Sequence, residues 1–239
     1  MEISVNGEHL VALPIGALYF AARETLIFSD LHFEKGSHFA TKGVLLPPYD
    51  TRTTLRRLAP LMASHQPKRV ISLGDAFHDG AAEARMDEAD ADLLKSMTRS
   101  AAWIWILGNH DRAPPALFSG GVEQALRMGR LTFRHEPLTG TEPGEIAGHL
   151  HPAARVRAGA RVFRRRCFAA DGERLIMPAF GAYAGGLNVL DDAFAPLFGE
   201  FRALILGAGA VYAFPSGALL LDPQANHRRF GSAYGMTIP

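Results

Sequence analysis

Three short apolar runs in this chain each stop at a small residue followed by a metal-competent side chain. Leu26-Ile27-Phe28 leads into Ser29-Asp30-Leu31-His32, Val70-Ile71-Ser72-Leu73 into Gly74-Asp75, and Trp103 to Leu107 into Gly108-Asn109-His110-Asp111. Runs of this length, bounded by turn formers, read as buried strands. Polar residues just past strand ends, behind a glycine that permits close backbone approach, lie where open α/β sheets collect ligands. His135 follows Leu131-Thr132-Phe133-Arg134, and His149 and His151 follow Gly148. The chain therefore delivers seven candidate donors to one cleft: Asp30, His32, Asp75, Asn109, His135, His149 and His151, with His110 to spare. Asp-x-His and Gly-Asp alone are common in turns and loops, and Gly-Asn-His-Asp and Gly-His-x-His are rarer; the ordered set carries the reading.

The rest of the pattern fits such a sheet. An opening strand pair turns at Asn6-Gly7, and residues 33 to 48 read as loop. A helix starts after Pro47-Pro48, capped by Asp50 or Thr51, faces the core with Leu55, Leu58, Leu61 and Met62, and ends by Pro67. Met86, Ala89, Leu93, Leu94 and Met97 repeat at helical spacing beneath a wet face of Glu83, Asp87, Glu88, Asp90 and Asp92. After about residue 130 the pattern is mostly strand, with turns at 142–144, 171–172 and 215–217. Two β-rich halves packed face to face, helices outside, would bury these runs. With 239 residues, 48% hydrophobic, and no repeat or linker, residues 1–239 read as one domain.

Cys167 is the one cysteine, which excludes an internal disulfide and a thiolate cage and fits a reducing cytoplasm. Any metal must use His, Asp and Asn. Residues 10–22 are apolar but hold Pro14 and Gly16 and are too short to span a bilayer, so a soluble, cytoplasmic protein is expected, with no membrane partner. The net charge of +1 says little, yet Arg155, Arg157, Arg161, Arg164, Arg165 and Arg166 form a run without acids. Two readings stand: a phosphate-attracting cleft edge, or an edge strand blunted by charge.

The succession Asp30-Leu31-His32, Gly74-Asp75, Gly108-Asn109-His110-Asp111, His135 and Gly148-His149-Leu150-His151-Pro152 resembles the calcineurin-like metallophosphoesterase superfamily. More narrowly, SDLHFEKG at 29–36, LLPPYDT at 45–51, GDAFHD at 74–79 and PAFGAYAGGLNV at 178–189 resemble the bacterial ligase-associated DNA damage response metallophosphoesterases. The resemblance implies a four-layer α/β/β/α sandwich of two mixed sheets flanked by helices. It implies that Asp30, His32 and His151 hold one divalent ion, that Asn109, His135 and His149 hold a second, and that Asp75 bridges them. Such a pair shares a hydroxide nucleophile and clamps phosphoryl oxygens. His110 is then the catalytic acid, with Asp111 orienting it; Arg112 and His78 are candidate substrate contacts. Manganese is the metal the resemblance favours, and iron or zinc suits the same donors. His9, His38, His65 and His227 read as surface or loop residues.

The resemblance further implies a DNA phosphodiesterase or endonuclease working beside a ligase, a helicase and a nuclease-like repair protein. Two alternatives remain open: a phosphodiesterase or phosphomonoesterase on small nucleotides, and a non-catalytic subunit of a repair assembly. Asp79-Gly80 lacks the arginine that protein phosphatases carry at that motif.

Overall fold

Successive strands of the first half pair as neighbours. The computed structural model describes residues 1–110, 113 and 115–223. In it β1 (Glu2–Val5), β2 (Glu8–Ala12), β3 (Leu18–Phe20), β4 (Thr25–Phe28), β5 (Arg69–Leu73), β6 (Ala102–Ile106) and β7 (Gly121–Glu123) form one sheet in sequence order. The first four run antiparallel, while β4 to β7 run parallel. The C-terminal ends of β4, β5 and β6 therefore share one edge. Asn6 and Gly7 take positive φ in the first turn, the geometry a tight hairpin demands.

The second sheet holds β8 (Ala125–Met128), β9 (Leu131–Arg134), β10 (Glu145–Ala147), β11 (Pro152–Ala158), β12 (Arg161–Ala170), β13 (Leu175–Ile176), β14 (Leu187–Asn188), β15 (Arg202–Leu206), β16 (Val211–Pro215) and β17 (Leu219–Leu220). It is mixed: β10 runs parallel to β9 and β13, and β11 antiparallel to β12. Strand β12 changes partners halfway, pairing with β11 through Arg166 and with β15 from Cys167 onward.

The sheets pack face to face. Ile27, Ile71, Leu73 and Ile106 from the first meet Leu131, Phe133, Ile146 and Phe168 from the second. On the outer face of the first sheet, α2 (Asp50–His65) and α4 (Glu88–Ser100) bury Leu55, Leu58, Leu94 and Met97 against Leu26, Phe28, Val70 and Trp103. Each fully buried leucine contributes about 1.5–3 kcal/mol. The fourth layer is the turn-rich stretch 189–198, whose Val189, Phe194 and Phe198 pack on Val156, Cys167 and Ile205. This is the expected α/β sandwich of two mixed sheets. No described helix is long and apolar enough to cross a membrane.

Three local expectations are corrected. Residues 33–48 are not all loop, because α1 occupies Lys35–Thr41. Asp50 does not cap its own helix: Tyr49 is the N-cap, and Asp50 Oδ2 accepts the Gly36 N–H at 3.0 Å, tying α2 to α1. The acidic stretch breaks into α3 (Ala82–Arg85) and α4, with Asp87 capping α4 through the Ala89 N–H. The buried face of α4 is Asp90, Ala91, Leu94, Met97 and Thr98, so Ala89 and Leu93 face outward.

Candidate metal centre

Backbone geometry marks the site first. Among the described residues nine non-glycine residues have positive φ, and five of these are Asp30, His32, Asp75, His149 and His151. Left-handed backbone costs an L-residue energy and persists where surrounding structure imposes it, often at functional sites. Glycines make room: a Cβ on Gly148 would stand 1.9 Å from Ser29 Oγ.

All seven expected donors converge, in two groups. In the first, His151 Nε2 lies 3.1 Å from Asp30 Oδ1 and 3.3 Å from His32 Nε2. In the second, Asn109 Oδ1 lies 3.0 Å from both His135 Nε2 and His149 Nδ1, which are 3.2 Å apart. Asp75 Oδ2 sits between them, 3.9 Å from His32 Nε2 and 3.4 Å from His135 Nε2. His135 is only 3% exposed, so it is no surface histidine.

Other bonds fix these donors. The Ser29 hydroxyl donates to Asp30 Oδ2 at 2.5 Å and the His149 N–H at 3.1 Å, leaving Oδ1 aimed inward without a hydrogen bond. The His110 N–H donates to Asp75 Oδ1 at 2.9 Å. Segment 179–181 crosses beneath, its Phe180 and Gly181 N–H groups bonded to the carbonyls of Ser29 and Asp30.

Electrostatics point the same way. Burial pushes the Asp30 and Asp75 carboxyls up, but neighbouring histidines outweigh it and hold both below the usual range. Burial pulls His32 down to about 3 and also lowers His149. Burial opposes charge on His135 as well, yet Asp75 and Asp30 prevail and raise it to about 9. Two carboxylates thus face neutral imidazoles and one imidazolium. Ring nitrogens 3.2–3.3 Å apart set lone pair against lone pair unless a cation or proton lies between. A buried Asp30 oxygen without a hydrogen bond beside such pairs is a donor set suited to divalent cations.

His110 stands at the rim, 40% exposed, with Nε2 4.0 Å from Asp75 Oδ2. Its Nδ1 lies 3.0 Å from the His78 carbonyl, and its ring stacks on His78 at 4.9 Å. His78 also meets His38 edge-on at 4.7 Å. His38 is thus no loose loop residue: its Nδ1 bonds Asp79 Oδ2 at 2.5 Å, and Arg85 clamps the same carboxylate. Asp111, Arg112 and His227 lie outside the described residues. Sequence reasoning missed Ser29, although it directly precedes the first donor, and missed Arg57, while it placed Arg166 only as one member of the arginine run. Those two guanidiniums donate to the Phe180 carbonyl at 2.8 Å and the Gly181 carbonyl at 2.8 Å.

Fold and site together define a two-sheet α/β sandwich with a candidate divalent-metal site at its strand ends. The calcineurin-like phosphoesterase profile matches residues 24–166, and the chain belongs to that family. No curated protein sequence matches it. Among solved structures it is similar to the nuclease MPE of Pseudomonas putida, at 28% identity and TM-score 0.68 over 90% of this chain and 99% of that one. It is also similar to YfcE, a phosphoesterase from E. coli, at 14% identity and TM-score 0.41 over 78% and 95%.

Proposed function

We propose that this chain is a two-metal phosphodiesterase that cleaves DNA internally. The observation that carries the two-metal part is the pair of donor groups on either side of Asp75 Oδ2. Asp30, His32 and His151 would hold one ion and Asn109, His135 and His149 the other, with Asp75 placed to reach both. Divalent ions held there would supply the charge that activates water and neutralises phosphoryl oxygens. Manganese is the first candidate, iron and zinc the next.

The protein's own part is positioning and proton transfer. Nδ1–H of His110 donates to the His78 carbonyl, which leaves Nε2 to face the substrate. As the oxygen of a water that has given one proton to solvent bonds phosphorus and the ester P–O bond breaks, Nε2–H of the protonated His110 ring would pass its proton to the departing oxygen. The His78 ring, stacked on His110, holds that orientation and lines the approach. Asp111 as an orienting acid for His110 rests on the sequence resemblance, and Arg112 as a phosphate contact rests on its place in the sequence two residues after His110.

The nuclease assignment is supported by similarity to a protein described as a nuclease, across nearly all of both chains. A role in DNA repair beside a ligase, a helicase and a nuclease-like protein rests on the sequence resemblance, and a cytoplasmic location on the single cysteine, Cys167. The test is purified protein with defined metals on a model diester, a monoester, nicked DNA and single-stranded DNA. Internal cleavage of DNA supports the reading; turnover of small nucleotides or monoesters with intact DNA overturns it.

A further inference from the structure

Beside the metal centre lies a cavity of about 620 Å³, lined in part by Arg57, Arg164, Arg165 and Arg166 and by no aspartate or glutamate. We propose that it is an anion subsite that takes a phosphate of the substrate strand other than the one being cleaved. This rests on the nuclease reading and adds where the strand goes next.

Position is the first argument. The register Leu18↔Ile27 carries the Pro14–Ile15 turn, which lines the cavity, past the C-terminal end of β4. That is the edge where Asp30 sits, so the cavity flanks the metal centre on its β3 side. One stretch of chain, residues 179–187, is the partition. On one side its N–H groups bond the carbonyls of Ser29, Asp30 and His151, at 2.8, 3.1 and 3.0 Å. On the other its carbonyls at Phe180, Gly181 and Ala184 receive Arg57 and Arg166. A strand leaving the metal centre over this partition would meet guanidinium within a few bonds.

Charge is the second argument. Arg57 and Arg166 are partly buried, face the same short segment, and have no carboxylate partner among the described residues. Burial first, and then Arg57, lowers Arg166 to about 10, and burial lowers Arg57 as well. Arg165 is exposed at the mouth, over the Phe163 ring, and only Arg164 is neutralised, by Asp222 at 3.0 Å. Guanidinium is the cation best matched to phosphate geometry. Gly185, Gly186 and Gly207 in the wall leave room for a sugar-phosphate, and the volume lies in the range of small-molecule sites.

The test is kcat and KM for cleavage of a single-stranded oligonucleotide across a salt series by the metal-loaded full chain. It compares wild type with Arg165→Ala and Ala208→Glu, both at exposed positions in the cavity wall. Removing one phosphate contact should flatten the plot of log(kcat/KM) against log salt by about 0.7 for Arg165→Ala. Ala208→Glu, a carboxylate at the mouth, should raise KM by about threefold or more while kcat holds. Unchanged slope and KM in both variants, with wild type cleaving the oligonucleotide, overturns the subsite and leaves the nuclease reading standing. Failure of wild type to cleave any oligonucleotide overturns both.

Discussion

Gly74→Ala asks whether close backbone approach sets the second cation position. A Cβ there would stand 2.2 Å from His135 Nδ1 and 2.3 Å from Cγ, and φ at Gly74 is +73°. The left-handed backbone alone costs alanine about 1–2 kcal/mol. The imidazole must also withdraw by roughly 1 Å to regain ordinary contact, which breaks its 3.2 Å bond to the Leu73 carbonyl. Leaving that buried pair unmade adds about 1–3 kcal/mol. The sum of about 2–5 kcal/mol reaches only the lower end of the total stability of about 5–15 kcal/mol typical of a domain, so the chain should still fold, though destabilised. Nε2 then leaves Asn109 Oδ1 and Asp75 Oδ2, and affinity for the second ion should fall by at least about 10–100-fold. Elemental analysis of dialysed protein, beside urea unfolding, reads both effects. Gly140→Ala is the control: φ is +87° with nothing within 4 Å of the new Cβ, so it should show only the backbone cost and keep both ions. Two tightly held ions in Gly74→Ala would refute the reasoning.

Three further outcomes follow from the same geometry. His110→Ala should retain both ions yet lose about 10²–10⁴-fold in kcat on diesters with poor leaving groups, and far less on a nitrophenyl ester; full activity on both would remove the acid role. Because His135 holds its proton up to about 9, a cation must displace that proton at lower pH. Calorimetric metal affinity should therefore rise with pH toward about 9 and then level, while His135's own contribution to the stability of metal-free protein changes oppositely. That contribution is complete below its unfolded value of 6.5 and lost as pH rises through about 9; an affinity flat from pH 6.5 to 9 would contradict this. Cys167 is fully buried, and burial pushes its thiol well up, so maleimide should label it only after denaturant is added.

The sandwich was legible because its strands announce themselves as apolar runs, and the donors because each follows such a run. Periodicity could not find α1: Lys35 to Thr41 contains glycine and has no apolar stripe, and the helix is held from outside by Asp50 on the Gly36 N–H. Nor could it set the face of α4, where Asp90 is buried because Arg52 bonds it at 3.0 Å. His38 read as a loop histidine because its partners, His78 and Asp79, are some 40 residues away. The arginine run showed an alternating pattern but not its direction. Pairing of Arg166 with Ala153 turns Arg166 toward segment 179–184, where it serves carbonyls instead of reaching the metal cleft. Backbone register and long-range hydrogen bonds decided each of these, and neither is written in local sequence.

Whether Asp75 joins two cations is the central claim, and anomalous diffraction from manganese-soaked crystals tests it most directly. Two peaks about 3.5–4 Å apart, one beside Asp30, His32 and His151 and one beside Asn109, His135 and His149, with Asp75 touching both, is the result expected. A single peak, or peaks away from Asp75, would contradict it.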